Sequence, residues 1–397
     1  MSDLLLCTEE GIGQVQEALR AEDLDGWLLY EFRGANPISK AMLGVGKTTR
    51  RGFFLIPAEG EPVALIHAIE GSSWRHWPWA RRTYSGWREM EAELDALLEG
   101  RGRLAAEISP GAAVPTLDYL PGGLTEVLLR TGIELASSGN LISRFHSVWS
   151  EEQLQDHRDA AVVLAEVARR AFERAAEAIR SGNPTTEGAL SDWIRSEVSG
   201  AGFPDNMDCI VAVGRTASDP HYGPVGEGET ITAGELLLID LWGGRPGSVP
   251  ADQTWMGMMA SAVDERTQEI WEAVRDARDA AVAFLRERFE AGEEVRGFEV
   301  DDVSRGVIAH RGFGEYFVHR TGHSIDTTLH GSGPNLDNLE TRDDRLIIPG
   351  VGFSVEPGIY IPGDIGVRSE INVYWSDEGP LVTPPEVQRE IFLLLGE

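Results

Sequence analysis

Three residues able to ligate a metal lie close together near the C-terminal end of the chain: His323, Glu356 and Glu370. They sit in the stretches VHRTGHSIDTTLHGSGP, FSVEPGIYI and VRSEINVY, between Val318 and Tyr374. Glu356 follows the apolar run Val351 to Val355 and is closed off by Pro357-Gly358, a strand-then-turn pattern. From Val367 to Tyr374, Arg368, Glu370, Asn372 and Tyr374 alternate with Val367, Ser369, Ile371 and Val373. A period of two predicts one strand with the guanidinium and the carboxylate on the same face. A carboxylate on a buried strand is costly unless it is paired or coordinated. Farther upstream, Asp240 interrupts LLLIDLW and Asp252 opens DQTWMGM, at facing ends of a predicted hairpin. Either aspartate alone reads as a salt-bridged or hydrogen-bonded group. Taken together, four carboxylates and one imidazole crowd a single octahedral ion. They suit two divalent ions sharing bridging carboxylates, with charge left over for a bridging hydroxide.

The elements that must position these residues are legible in outline. From Ser150 a long helix is predicted over 151–180, with Leu154, Ala161, Leu164, Ala168, Ala171, Ala175 and Ile179 at three- and four-residue steps. It stops at Gly182 and Pro184, and Thr185 or Thr186 can cap a shorter helix carrying Leu190, Ile194 and Val198. Strands follow over 209–213, 236–242 and 251–257. A second long helix over 264–290 and a shorter one ending at His310 precede the metal-ligand stretch. The second half therefore reads as one arrangement used twice, long helix, short helix, strands, with no detectable sequence repeat. Residues 1–148 form a separate α/β unit, with a short helix over 13–21, strands over 26–30, 52–56, 63–66 and 104–108, and a helix within 115–129. The domain boundary is placed at 148, giving residues 1–148 and 149–397.

Two features of the first unit invite sharper readings. Gly44-Val-Gly46-Lys47-Thr48 resembles the end of a phosphate-binding loop, but the position that needs glycine holds Ala41, so nucleotide binding is set aside. Trp74-Arg-His-Trp77-Pro-Trp79 is expected on a loop as a subunit contact or pocket wall, with local packing as the alternative.

Composition bounds the rest. The chain has 397 residues, enough for two domains, and its 42% hydrophobic content is ample for packed cores. A net charge of −30 disfavours nucleic acid and anionic membranes. No long apolar run is present to cross a bilayer, and MSDLLLCTEEG lacks the marks of a secretion signal. Cys7 and Cys209 cannot form a disulfide framework, which suits a reducing cytoplasm.

The ligand candidates arrive in the order Asp, Asp, His, Glu, Glu within LLIDLWG, ADQTW, TGHSID, VEPGIY and VRSEINV. In this the chain resembles the pita-bread metallopeptidases, the group of prolidase, aminopeptidase P and methionine aminopeptidase. The resemblance implies an α+β catalytic domain of that fold behind a creatinase-like N-terminal α/β domain. It also implies an Xaa-Pro dipeptidase using two divalent ions, manganese first with cobalt or zinc able to substitute. Asp240 would hold one ion, His323 and Glu356 the other, and Asp252 and Glu370 would bridge them. Glu356 would also move the proton. His221 in DPHYGP, His330 in LHGSGP and Arg368 match residues facing the substrate, the last where a dipeptide presents its free carboxylate. His319 matches no role, and Tyr222 and Trp242 read as pocket wall or core. A small peptide with proline second is the implied substrate, and a cytoplasmic homodimer the implied assembly. The nearest alternative is an aminopeptidase P acting on longer peptides, with Arg33, Arg50 and Arg51 as candidates for limiting substrate length. More remote are a creatinase-like hydrolase and a binding module without catalysis. Three departures bear on specificity. The Asp240 to Asp252 spacing is one residue longer than usual, to be absorbed by a bulge or a longer loop. Trp255 replaces an arginine often found in DxTR, and Gly331 follows His330 where an acidic residue is common.

Overall fold

A computed structural model describes residues 4–204 and 207–396. The chain divides into two compact units, Met1–His146 and Ser147–Glu397.

The first unit runs α1 (Glu9–Ala21), β1 (Gly26–Glu31), α2 (Pro37–Met42), β2 (Gly52–Pro57), β3 (Val63–His67), β4 (Ala80–Tyr84), α3 (Trp87–Leu98), β5 (Arg103–Ala106), α4 (Gly122–Arg130), β6 (Glu134–Ser137) and α5 (Gly139–Phe145). Its strands form one mixed sheet in the order β4-β3-β2-β1-β5-β6. The central strands β1 and β2 are buried along their whole length and read as continuous apolar runs. α2, β4, α3, β6 and α5 lie outside the sequence expectations. ARRTY in β4 is exposed at four of five positions and sits on the sheet edge, so no apolar alternation marks it. The tryptophan cluster is corrected here. Trp74 and Trp77 are only 1% and 2% exposed and pack on Phe54, at ring-centroid distances of 4.3 and 5.5 Å. Local packing, the alternative, is what the structure shows.

The second unit begins with α6 (Glu151–Arg180) and α7 (Glu187–Gly200), then β7 (Cys209–Val213), β8 (Leu236–Gly243) and β9 (Ala251–Met258). Next come α8 (Glu265–Ala291), α9 (Gly297–His310), β10 (Ser324–Ile325), β11 (Gly352–Val355), β12 (Gly358–Ile361), β13 (Ile365–Arg368), β14 (Ile371–Ser376), β15 (Gly379–Thr383) and β16 (Phe392–Leu393). Among the described residues the strands pair as β16-β9-β8-β7, as β10-β11-β14-β15 and as the two-stranded β12-β13. Each long and short helix pair is followed by strands, as expected: β7 to β9 after the first, joined in their sheet by the C-terminal β16, and β10 to β15 after the second.

Local chemistry explains these boundaries. α6 starts at a capping box: Ser150 Oγ accepts from the Gln153 N–H, and the Ser150 N–H donates to Gln153 Oε1. α8 ends at Gly292, whose φ of 67° is left-handed. The β8–β9 ladder runs in unbroken register from Leu236↔Met258 to Gly243↔Ala251. The extra residue between Asp240 and Asp252 is therefore taken up in the connecting loop 244–250, without a bulge. The strand expected over 367–374 is corrected. It breaks between Arg368 and Ile371, with β13 pairing β12 and β14 pairing β11 and β15.

Candidate metal centre

The β8–β9 hairpin and the β11–β14 pair supply the framework of the centre. Asp240 lies in β8, and Asp252 is the second residue of the wholly buried β9. His323 directly precedes β10 and Glu356 directly follows β11. Arg368 ends β13, and Glu370 occupies the break before β14. The two sheets are tied at this point: Asp252 N–H donates to Asn372 Oδ1 at 2.9 Å, and Glu370 N–H to the Thr254 carbonyl at 3.3 Å.

Ser354 sets the geometry between His323 and Glu356. Its N–H donates to the His323 carbonyl, its Oγ accepts from the His323 N–H at 2.9 Å, and its hydroxyl donates to Glu356 Oε1 at 3.0 Å. The backbone of Gly322 passes so close to Ser354 that a Cβ would lie 1.9 Å from the Ser354 carbonyl oxygen. The glycine of TGH is thus a steric requirement for delivering His323. The ring of His323 donates from Nδ1 to the Ser324 carbonyl at 3.1 Å. That leaves Nε2 facing Asp252 Oδ2 and Glu356 Oε1, each at 3.4 Å, the orientation a metal-ligating histidine needs. The segment leading to it is anchored by α9. Asp301, fully buried, accepts from the N–H and Oγ1 of Thr321, while Arg305 donates to the Phe317 and His319 carbonyls.

All eight predicted site residues line one cavity of about 250 Å³: His221, Asp240, Asp252, His323, His330, Glu356, Arg368 and Glu370. Trp242 lines it as well, whereas the Tyr222 hydroxyl is turned to Glu187 Oε2 at 2.6 Å. Ligand atoms of Asp252, His323 and Glu370 lie within 4.8 Å of one another, and all three residues are buried. Asp240 pairs with Arg368 Nη2. Three carboxylate oxygens, Asp240 Oδ1, Asp252 Oδ1 and Glu370 Oε1, are buried without a hydrogen-bond partner among the described residues. Buried acceptors of this kind are expensive unless something positive meets them. The donor set of carboxylate oxygens and one imidazole fits hard or borderline divalent cations.

Electrostatics agree with that fit. Burial pushes the Asp240 carboxyl up to about 7, against the pull of Arg368, and Asp252 and Glu356 add to the rise. Burial followed by the charges of Asp252, Glu356 and Asp240 holds Glu370 well above the usual carboxylate range. Asp252 is raised by burial too, with His323 opposing. Glu356 differs: burial raises it, but the charges of His323, His319 and Arg368 outweigh burial and hold it low. A crowd of carboxylates that resists ionisation without a cation is what a dication site looks like with only protons available.

Several residues in the wall or just behind it had no assigned role in the sequence. Thr254 stands between two charged groups, accepting from Arg368 Nε and donating to Glu370 Oε2, both at 2.8 Å. His319 accepts at Nε2 from the Tyr360 hydroxyl at 2.9 Å, and Tyr360 in turn accepts from Arg368 Nη1 at 3.0 Å. Arg320, Leu329 and Glu340 complete that part of the wall. The signal was present for Thr254 in the D-x-T spacing. For His319 and Arg320 it was only their place just before TGH.

Comparison with known proteins accords with this geometry. An Xaa-Pro dipeptidase of Lactobacillus helveticus is 32% identical over 202 residues, covering 50% of each chain. A probable dipeptidase PepE of Mycobacterium tuberculosis is 28% identical over 271 residues, covering 67% of this chain and 65% of the relative. The chain spans about half the length of the Lactobacillus relatives it matches. In fold, it resembles the crystal structure of dipeptidase PepE from Mycobacterium ulcerans, with a TM-score of 0.73 at 21% identity and 96% coverage of both chains. The pattern of metallopeptidase family M24 matches residues 160–377, more than half of the sequence and the whole of the ligand set. This chain belongs to metallopeptidase family M24.

Proposed function

We propose that the protein hydrolyses Xaa-Pro dipeptides with two divalent metal ions held by Asp240, Asp252, His323, Glu356 and Glu370. The observation that carries this reading is the set of three unpartnered buried carboxylate oxygens beside a histidine nitrogen in one cavity. When bound, the ions supply a water that is nucleophilic at neutral pH and polarise the scissile carbonyl. Manganese suits the oxygen-rich donor set, with cobalt or zinc as substitutes.

The chain's own residues do the rest. Water adds to the carbonyl carbon of the residue before proline, and Glu356, kept ionised by its neighbours and aimed by Ser354, takes the proton. The same carboxyl returns that proton to the prolyl nitrogen as the C–N bond breaks. A prolyl amide nitrogen carries no hydrogen, so it must receive one to leave as a secondary amine. His221 and His330 line the cavity where they can donate to the developing oxyanion and hold the prolyl ring. The His330 ring meets His323 edge-on at 4.4 Å, which places it next to the ligand set. A cavity of about 250 Å³ lies below the ~300–1,000 Å³ of drug-sized pockets, which favours a very small peptide. Relatives described as Xaa-Pro dipeptidases support the same substrate class. A cytoplasmic homodimer is part of this reading.

The test is hydrolysis of Ala-Pro beside Ala-Pro-Ala by metal-stripped protein, with and without added Mn²⁺. Cleavage of the dipeptide alone, restored by the metal, is the expected result. Preference for the tripeptide would make it an aminopeptidase P, and silence on both with metal bound would overturn the peptidase reading.

A further inference from the structure

Two guanidinium groups line the cavity, Arg320 and Arg368, and they differ in what they leave for a substrate. Every nitrogen of Arg368 already donates: Nε to Thr254 Oγ1, Nη1 to the Tyr360 hydroxyl, and Nη2 to Asp240. Arg368 is 4% exposed, and drawing it toward another anion would break a buried, hydrogen-bonded charge pair. With the bond from Nη1 to the Pro220 carbonyl, four of its five N–H groups are committed, too many for Arg368 to meet a substrate carboxylate as a fork.

Arg320 is the opposite case. Its backbone is pinned on both sides: the N–H donates to Glu340 Oε1 at 2.9 Å, and the carbonyl accepts from His319 Nδ1 at 2.7 Å. Among the described residues, no hydrogen bond or ion pair engages its guanidinium. The root of the side chain is fixed and the planar fork is left open, half-buried, in the wall of the cavity. It lines the same cavity as His323, His330 and Glu356. Gly331 to Pro334, the segment that follows His330, offers no cation. Glu340 shares the wall, but its Oε1 is occupied by the Arg320 N–H.

We propose that Arg320 is a specificity-determining residue that receives the free α-carboxylate of the dipeptide and so limits the enzyme to peptides ending at proline. A guanidinium fork matches a carboxylate in two parallel charge-assisted hydrogen bonds, which the neutral carbonyl of an amide or a longer peptide cannot replace. The substrate named here rests on the dipeptidase reading above. The recognition of a carboxylate by Arg320 does not.

The experiment compares Ala-Pro with Ala-Pro amide on the full chain carrying Arg320→Ala, Arg320→Lys or Arg320→Gln. With Mn²⁺-loaded protein, Arg320→Ala raises KM for Ala-Pro by at least about ten-fold while kcat stays within about two-fold, and the amide is unaffected. Arg320→Lys keeps part of the preference for the acid. In parallel, calorimetry on metal-free protein reads binding without turnover. Wild type binds Ala-Pro at least about ten-fold more tightly than the amide, and Arg320→Ala or Arg320→Gln removes the difference. An equal effect of Arg320→Ala on acid and amide, or none on either, overturns the proposal. So do equal affinities for acid and amide in wild type. If wild type fails to hydrolyse Ala-Pro yet discriminates acid from amide through Arg320, the dipeptidase reading falls and the carboxylate site stands. Should Arg320→Ala fail to fold, the Lys and Gln variants carry the same comparison.

Discussion

Thr254 shows how much of the centre depends on groups that hold ligands in place. Its hydroxyl accepts from Arg368 and donates to Glu370, so one oxygen orients a cation and a carboxylate at once. Thr254→Val keeps the shape and removes both bonds, leaving buried charged groups short of partners. The expected cost is about 1–3 kcal/mol of stability, with metal affinity falling about 10–100-fold. Denaturant melts and metal titrations check this, and unchanged metal affinity would mean that Thr254 does not position Glu370. Asp240→Asn and Glu370→Gln test the ligands themselves. Each preserves volume while removing charge, and each is expected to lower bound metal and to cut Ala-Pro turnover by more than ~100-fold, beyond the loss of a supporting residue. Full activity with metal retained in either variant would sink the ligand assignment.

At the scale of elements, the helices matter because they clamp the strands that carry the ligands. His157 in α6 donates from Nδ1 to the Pro250 carbonyl at 3.0 Å and accepts at Nε2 from Thr383 Oγ1 at 2.8 Å. One imidazole therefore ties a long helix to the entry of β9 and the end of β15. Burial pushes it down to about 4, overriding the lift from the Pro250 carbonyl. The sign follows directly. Above the ordinary histidine value of 6.5 the ring is neutral in both folded and unfolded chains, and the contribution is complete. As pH falls from there toward 4, the unfolded chain takes up a proton that the folded chain refuses. Stability then drops by about 1.4 kcal/mol per unit, roughly 3 kcal/mol in total. His157→Gln should be less stable than wild type at pH 7.5, and the gap should narrow as pH falls to 5. Urea melts at the two pH values check this, and a constant gap would contradict it.

For the whole molecule, the predicted ions are also a source of stability. Three unpartnered carboxylate oxygens and several carboxyl groups that resist ionisation crowd one point of a chain already carrying a net charge of −30, and a cation there would let them ionise. A ligand that binds only the folded state stabilises by mass action, about 4 kcal/mol at a thousand times its Kd. For a unit of this size that corresponds to a rise in Tm on the order of 10 °C. Scanning calorimetry with EDTA and then with excess Mn²⁺ reads it directly. An unchanged transition would argue against a cation at this site. Among the described residues no helix is long and apolar enough to cross a membrane.

Sequence alone determined the parts of this architecture that depend on local periodicity and capping. α6 spans the predicted 151–180 because Ser150 and Gln153 cap it and an apolar stripe continues to Gly182. The two long helices, their shorter partners, the strands carrying Asp240 and Asp252 and the strand that ends just before Glu356 follow from the same rules, since period and end signals are written in neighbouring residues. The candidate ligands were visible too, because a charge in an apolar run stands out. What only the tertiary structure decided depends on partners far apart in sequence. Alternation continues through Val367 to Tyr374, yet the strand breaks at Glu370, because the pairing of β13 with β12 and of β14 with β11 sets where each sheet ends. The aromatic cluster at Trp74 became core because Phe54 lies against it. Arg368 and Arg320 are equivalent in composition. Asp240, Thr254 and Tyr360 consume the donors of the first, while the second is pinned by its backbone and left open, a difference that exists only once the strands have met.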